Sequence, residues 1–157
     1  MRSLVAALIV VLSTTSLLAQ EAKKPTRRYG IEPRLRDFPQ TTPKDTLASV
    51  ISAMEARNID YLMAHLADPE YVDERVKQHY RGDFDQLVKE ATVKLRDDPG
   101  AVRELQRFLK EGDWQTNEKT ASVRLKAVPD RQVFLRKIDA RWFLENRQKA
   151  ESPKKDG

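Results

Sequence analysis

The chain contains no cysteine, which excludes disulfides, thiol catalysis, iron–sulfur clusters and cysteine-ligated zinc. Histidine is almost absent as well, because only His65 and His79 are present, and neither belongs to a metal-binding spacing such as H-E-x-x-H. The five glycines form no phosphate-binding loop, and no Gly-x-Ser-x-Gly nucleophile motif occurs. We therefore predict neither a metal nor a cofactor.

Long hydrophobic runs are also lacking, except at the start of the chain. Residues 1–19 combine the positive charge of Arg2, an apolar stretch over Leu4–Leu12 and a small residue, Ala19, at the expected cleavage point. This pattern is typical of a secretory signal peptide, so we expect cleavage near Ala19 and an exported protein, periplasmic or secreted. An uncleaved membrane anchor is the alternative, but the run is shorter than the roughly 20 apolar residues of a spanning helix.

The net charge of +5 is not distributed evenly. Residues 20–40 hold six Lys or Arg and three Asp or Glu, whereas residues 41–146 hold 18 and 19, a net charge of −1. A nucleic-acid-binding domain would be expected to carry its own basic face, so we predict no specific nucleic-acid partner.

Residues 20–40 contain three prolines and no helical or strand period, which indicates a basic linker. It is interpreted as a solvated spacer, or as a weak tether to an anionic surface. Its apolar side chains could instead pack back on the domain: Tyr29, Ile31, Leu35 and Phe38. Residues 148–157 are predicted to be a disordered tail.

A folded domain is predicted over residues 41–147. It opens with Thr42 as N-cap, Pro43 in the first helical position and Asp45 near the positive helix end. Further helix starts are predicted at Asp60, at Asp68-Pro69 and at Asp98-Pro99. Apolar residues recur with helical spacing in about four to five segments before Gly112.

The period then changes from 3.6 to 2. Ala121 to Ala127 alternate as a strand, Pro129-Asp130 is interpreted as a turn, and Gln132 to Ile138 forms the next strand. A two-residue turn at Asp139-Ala140 would place Ile138 opposite Arg141 and make Trp142 a core residue. Trp114 to Asn117 is a candidate extra strand. The predicted fold class is α+β: helices followed by a three- to four-stranded antiparallel meander, packed on one sheet face.

Two segments resemble the nuclear-transport-factor-2-like superfamily, which includes the SnoaL-like proteins. The first, TPKDTLASVISAMEARNIDYLMAHLAD, is similar to the family's capped opening helix and following short helix. The second, TASVRLKAVPDRQVFLRKIDARWFLEN, resembles its last strands, although Ala140 stands where glycine is usual. The resemblance implies a small exported bacterial member with a cone-shaped α+β fold.

Enzymes with this fold, as the resemblance implies, use an Asp, His or Tyr inside the cone as a general acid or base. The candidates here are Asp60, Tyr61, His65, Tyr71, His79 and Tyr80. Only Tyr61 and His65, four residues apart on a helix, can point to one place. His79 and Tyr80 are adjacent and diverge by about 100°. Asp60 is better explained as an N-cap.

The register of the last two strands places Phe134 and Phe143 on the sheet face opposite the core, beside Arg136 and Arg124. Aromatic rings with arginines are enriched at interfaces, so these residues are the predicted interface of a homodimer. Two functions stay open: a non-enzymatic binding or protein-interaction module with an unknown ligand, and a small lyase, isomerase or hydrolase of the SnoaL-like type. The first is favoured, because no base, acid and oxyanion donor can be assembled on one face.

Overall fold

The structure, a computed structural model, describes residues 25–146. Helices come first and a four-stranded antiparallel sheet follows, which confirms the predicted α+β class. The helical elements are α1 (Pro43–Glu55), α2 (Ile59–Tyr61) with its π-helical continuation (Leu62–Leu66), α3 (Pro69–His79), α4 (Phe84–Asp97) and α5 (Gly100–Glu111). The strands are β1 (Asp113–Thr116), β2 (Thr120–Leu125), β3 (Val128–Ile138) and β4 (Arg141–Leu144). The predicted signal peptide and C-terminal tail lie outside the described residues.

The start of α1 has the predicted cap. The Thr42 hydroxyl accepts the backbone N–H of Asp45 at 3.1 Å, and the Asp45 carboxylate accepts the N–H of Thr42 at 3.2 Å. Two backbone donors that the helix leaves unpaired are satisfied in this reciprocal way. Asp68 caps α3 in a similar manner, since its carboxylate accepts the N–H of Glu70 at 2.9 Å.

Two other predicted caps are wrong. Asp60 lies inside α2 rather than before it, because the Asn58 carbonyl already accepts the N–H of Leu62 at 3.0 Å. Asp98 does not cap α5 with its side chain: the N-cap position falls one residue later, on Pro99, whose side chain has no acceptor for the first backbone N–H groups of the helix.

The four strands follow one another in space as they do along the chain, and each pairs with the next. Ile138 is opposite Arg141 across the turn at Asp139-Ala140, which confirms the predicted register. The main core lies between this sheet, α1 and α5, with Leu47, Ile51 and Phe108 on the helical side. The sheet contributes Ala121, Val123, Leu125, Val133, Leu135 and Trp142.

The predicted turn at Pro129-Asp130 is wrong. Leu125 is opposite Val128, so the chain reverses at Lys126 and Ala127, and Pro129 already belongs to β3. The register then shifts between Arg124 and Leu125, as in a β-bulge. Proline is tolerated at such an irregularity, because its missing N–H breaks no regular ladder bond there.

Residues 25–40, which we call the N-terminal strap, differ from the solvated spacer that their composition suggests. Phe38 and Gln40 are only 6% and 2% exposed. Gln40 covers the outer edge of β4, because its backbone carbonyl accepts the N–H of Trp142 at 3.0 Å and its side-chain amide donates to the Trp142 carbonyl at 2.7 Å. The strap is therefore part of the folded domain.

The first part of the strap is a tight turn held on the helices. Tyr29 and Gly30 both have positive φ, 50° and 81°, a combination that closes a two-residue turn. The Tyr29 ring stacks on Phe84 with centroids 4.0 Å apart, and the Arg28 guanidinium lies 2.6 Å from a carboxylate oxygen of Asp73. Arg28, one of the positive charges expected to tether the protein to an anionic surface, thus forms an ion pair within the domain.

Candidate functional site

Tyr61 and His65 are brought together, as their spacing suggested. Tyr61 ends α2 and His65 lies in the π-helix, with ring centroids 5.0 Å apart. The N–H of Ala67 donates to the carbonyl of Leu62 at 2.8 Å, the five-residue step that defines this widened turn. Both side chains are almost inaccessible, with exposures of 0% and 1%.

The N-terminal strap forms a hydrogen bond with each side chain of this pair. His65 Nε2 donates to the carbonyl of Ile31 at 2.8 Å, and the Tyr61 hydroxyl accepts the N–H of Arg34 at 2.9 Å. Phe38 stacks on the other side of Tyr61, with centroids 4.5 Å apart. Burial raises the pKa of Tyr61.

His65 is held in its neutral form. Because Nε2 carries the proton toward Ile31, Nδ1 is the bare nitrogen, and it is buried without a hydrogen-bond partner among residues 25–146. Burial lowers the pKa of His65, and the nearby charges of Arg141 and Arg28 lower it further. A general base needs access to a substrate proton, and this geometry provides none. We interpret Tyr61 and His65 as the structural attachment of the strap.

This arrangement predicts a loss of stability in mild acid. The folded state disfavours the charged ring, so the unfolded chain binds more protons once the pH falls below the ordinary His pKa of 6.5. The free energy of unfolding should therefore decrease as the pH falls below about 6.5, by at most about 1.4 kcal/mol for each pH unit.

Urea unfolding at several pH values measures this dependence. His65→Gln keeps an N–H donor for the Ile31 carbonyl but cannot titrate, so it should lose less stability than the unaltered protein over the same range. The matched control is His79→Gln, the same substitution at the exposed histidine, which is not in contact with the strap. Equal pH profiles for His65→Gln and the unaltered protein would contradict the role given to His65.

The other candidate acid–base residues are dispersed. Asp60 and His79 are exposed. Tyr71 and Tyr80, on α3 and at its end, line a cleft that the sequence did not suggest. The candidates that the resemblance implies thus lie in separate places: Tyr61 and His65 contact the strap, and Tyr71 and Tyr80 line the cleft.

The cleft has a volume of about 420 Å³ and lies among the π-helix, α3, α4 and the end of β4. Its aliphatic lining residues are Leu62, Met63, Ala67, Leu87, Ala91 and Leu144. The polar lining residues are Tyr71, Arg75, Tyr80, Glu90, Lys94, Glu145 and Asn146. The volume lies in the range of about 300–1,000 Å³ that ligand pockets occupy, and the lining combines six aliphatic with seven polar residues.

The polar groups of the cleft form a network around Glu90. Its carboxylate accepts a hydrogen bond from the Tyr80 hydroxyl and lies 2.6 Å from Lys94 Nζ. Arg75 lies farther away, at 3.8 Å from the nearer carboxylate oxygen. The hydrogen bonds from Lys94 and Tyr80 lower the pKa of Glu90, and the bond to Glu90 together with burial raises the pKa of Tyr80.

The predicted exposed aromatic face is not present. Phe134 and Phe143 are 9% and 3% exposed, so the sheet offers no open pair of rings there. Arg136 is held by the start of α3, at 2.6 Å from Asp68 and 2.7 Å from Glu70. The start of α3 therefore covers the sheet face opposite the core.

Arg124 is the exposed member of that predicted interface, and its cross-strand partners are Gln132 and Asp113.

Over residues 25–146, three or more potential metal ligands do not cluster anywhere. Within the same residues, helices with the length and hydropathy to cross a membrane are absent.

Comparison with known proteins gives no relative: no family model, curated protein or solved structure matches the chain.

Proposed function

We propose that this chain is an exported, non-enzymatic binding module and that the cleft among the π-helix, α3, α4 and β4 holds its ligand. The observation that carries the proposal is the cleft itself, whose volume of about 420 Å³ is that of a small-molecule site and whose lining offers aliphatic surface together with polar groups. Export is proposed from the signal-peptide pattern of residues 1–19.

Two observations favour a binding function over catalysis, one for each candidate region: the Tyr61–His65 pair and the cleft. Tyr61 and His65, the one acid–base pair with suitable spacing, are buried beneath the strap, which forms hydrogen bonds with the Tyr61 hydroxyl and His65 Nε2. The cleft contains tyrosines and charged groups, and of its two carboxylates Glu90 is already held by Lys94 and Tyr80. A carboxylate in that state is a weak general base, because its pKa is lowered.

The resemblance to the nuclear-transport-factor-2-like superfamily stays a proposal that rests on the opening helices and the last strands. Residues 69–111 depart from that pattern, since they form α3, α4 and α5 where the family usually has strand pairing near its third helix. Dimerisation through the sheet is not part of this proposal, since Phe134 and Phe143 are buried.

The proposal predicts that filling the cleft abolishes binding of an apolar probe. Ala91 lines the cleft from α4, so Ala91→Trp should occupy the space and weaken binding of the neutral fluorophore phenylnaphthylamine by at least about tenfold. Fluorescence titration measures this affinity, and thermal unfolding verifies that the variant is folded.

Thr92→Trp is the matched control, because Thr92 is the next residue of α4 and is exposed. It adds the same side chain outside the cleft and should bind the probe as the unaltered protein does. Met63→Trp, from another wall of the cleft, supplies a second block if Ala91→Trp proves unstable. Undiminished binding in both blocking variants would refute the cleft as the site.

A further inference from the structure

The tight turn of the strap, around Tyr29 and Gly30, connects two walls of the cleft. Tyr29 contacts both walls, because its ring stacks on Phe84 at the start of α4 and its hydroxyl donates to the Asp73 carboxylate on α3 at 2.6 Å. Arg28 adds a second contact with α3, at 2.6 Å from the same oxygen of Asp73. The turn of the strap therefore bridges α3 and α4.

The strap also contacts the other two walls of the cleft. The Ile31 carbonyl accepts a hydrogen bond from His65 at 2.8 Å, and Leu62 and Met63 of the same π-helix line the cleft. Gln40, at the other end of the strap, pairs with the backbone of β4. One segment thus contacts all of the elements that form the cleft, and none of residues 25–40 is among the residues that line it.

The two ends of the strap differ in how firmly they are held. Tyr29 has a φ of 50°, a left-handed conformation that a residue with a side chain adopts at a cost, so the turn depends on its contacts. Tyr29 is also 37% exposed, whereas Phe38 and Gln40 are buried. Exposed segments with few buried contacts are the ones that open locally in native proteins. The turn is therefore the part of the strap whose opening leaves the domain folded.

From these contacts we infer that the strap is a clamp on the cleft: docking of its tight turn and binding of a ligand stabilise each other, because both fix the same helical walls. This inference rests on the proposed binding function and adds its regulation. When the turn opens, α3 and α4 lose the bridge through Tyr29, and a cleft with less fixed walls binds its ligand more weakly. Such coupling is reciprocal, so a bound ligand reduces opening of the turn by the same factor.

Hydrogen exchange of backbone amides in the unaltered protein measures the reciprocal effect. The Ile31 N–H donates to the Arg28 carbonyl at 2.8 Å and reports opening of the turn. Saturating phenylnaphthylamine should slow its exchange about fivefold, the lower end of the usual coupling between sites. The Asn117 N–H, which donates to the Thr120 carbonyl between β1 and β2 at 2.9 Å, should exchange equally with and without the probe. The docked conformation is the same in both states, so exchange rates change while the chemical shifts of the turn do not.

Substitutions outside the cleft test the clamp from both sides. Tyr29→Ala removes the contacts with Phe84 and Asp73 and should weaken binding of phenylnaphthylamine about fivefold, whereas Leu35→Ala removes a strap side chain of similar exposure and should leave the affinity unchanged. Asp73→Ala should weaken binding in the same way from α3. Its matched control is Glu74→Ala, at the next residue of α3, which is also exposed. Thermal unfolding verifies that each variant is folded.

The exchange experiment separates the clamp from the binding function and needs no variant to fold. Equal exchange of the Ile31 N–H with and without saturating probe would overturn the inference and leave the binding function standing. Slowing of Ile31 and Asn117 by the same factor would also overturn it, because the probe would then stabilise the whole domain and not the turn. Failure of the probe to bind would refute the binding function, and the clamp with it.

Discussion

Trp142→Ala is expected to lower the free energy of unfolding by about 3–5 kcal/mol, a large share of the 5–15 kcal/mol typical of a domain. Trp142 is 4% exposed and lies in the core between the sheet and the helices, with Leu47 and Phe108 in the same cluster. Removing the indole leaves a cavity that the surrounding strands and helices cannot fill without distortion. Urea unfolding followed by circular dichroism measures the change.

Trp114→Ala is the matched control, because Trp114 is the other tryptophan of the chain and is only half-buried at the edge strand β1. Its loss should cost clearly less than the loss of Trp142. If the two variants are destabilised equally, or Trp114→Ala more, the core is not where the structure places it.

Removal of the N-terminal strap is expected to be as damaging. A chain that starts at Pro39 lacks Phe38, which is 6% exposed and stacked on Tyr61, and loss of a buried phenylalanine side chain alone costs about 3–5 kcal/mol. The truncation also removes the Ile31 carbonyl from His65 and the Arg34 N–H from Tyr61. Buried polar groups left without partners add to the cost.

Two single substitutions distinguish the effect of lost side-chain packing in the strap from the effect of a shorter chain. Phe38→Ala should reproduce most of the destabilisation, whereas Leu35→Ala should change the melting temperature little, because Leu35 is 38% exposed. A truncated chain that melts like the full one would restore the solvated-spacer interpretation of residues 25–40.

The starts of α1 and α3 could be predicted because their signals are local. Thr42 and Asp68 lie directly before proline, and each side chain reaches a backbone N–H two or three residues later. The register of β3 and β4 could be predicted for the same reason, because a two-residue turn determines which residues of the two strands lie opposite each other. Asp98 shows the limit of such a signal: it also lies directly before a proline, but the N-cap of α5 falls on Pro99 and has no side-chain hydrogen bond.

Packing of the strap on the domain was one of two alternatives, and the sequence could not decide between them, since the order of the strap comes from single residues that contact distant elements. Tyr29 contacts Phe84, Ile31 contacts His65, and Gln40 contacts Trp142, and none of these contacts produces a periodic pattern. Proline and glycine in such a segment indicate an irregular path, but not whether that path is solvated.

The cleft and the buried sheet face depend on tertiary placement. Arg75 and Glu90 lie on different helices, and only the packing of α3 against α4 brings them to one wall. The predicted strand register correctly placed Phe134 and Phe143 on the sheet face opposite the core. It carried no information on the start of α3, which contacts Arg136 on the same sheet face.

The most direct test of the binding proposal is a map of backbone amide chemical shifts during titration with phenylnaphthylamine. We predict that the shifts concentrate at cleft residues on three elements, Met63, Tyr71 and Ala91, and leave the strap around Ile31 unchanged. Shifts centred on Ile31 and Tyr61, with Ala91 unaffected, would contradict the account, because they would place the ligand at the buried Tyr61–His65 pair instead of in the cleft.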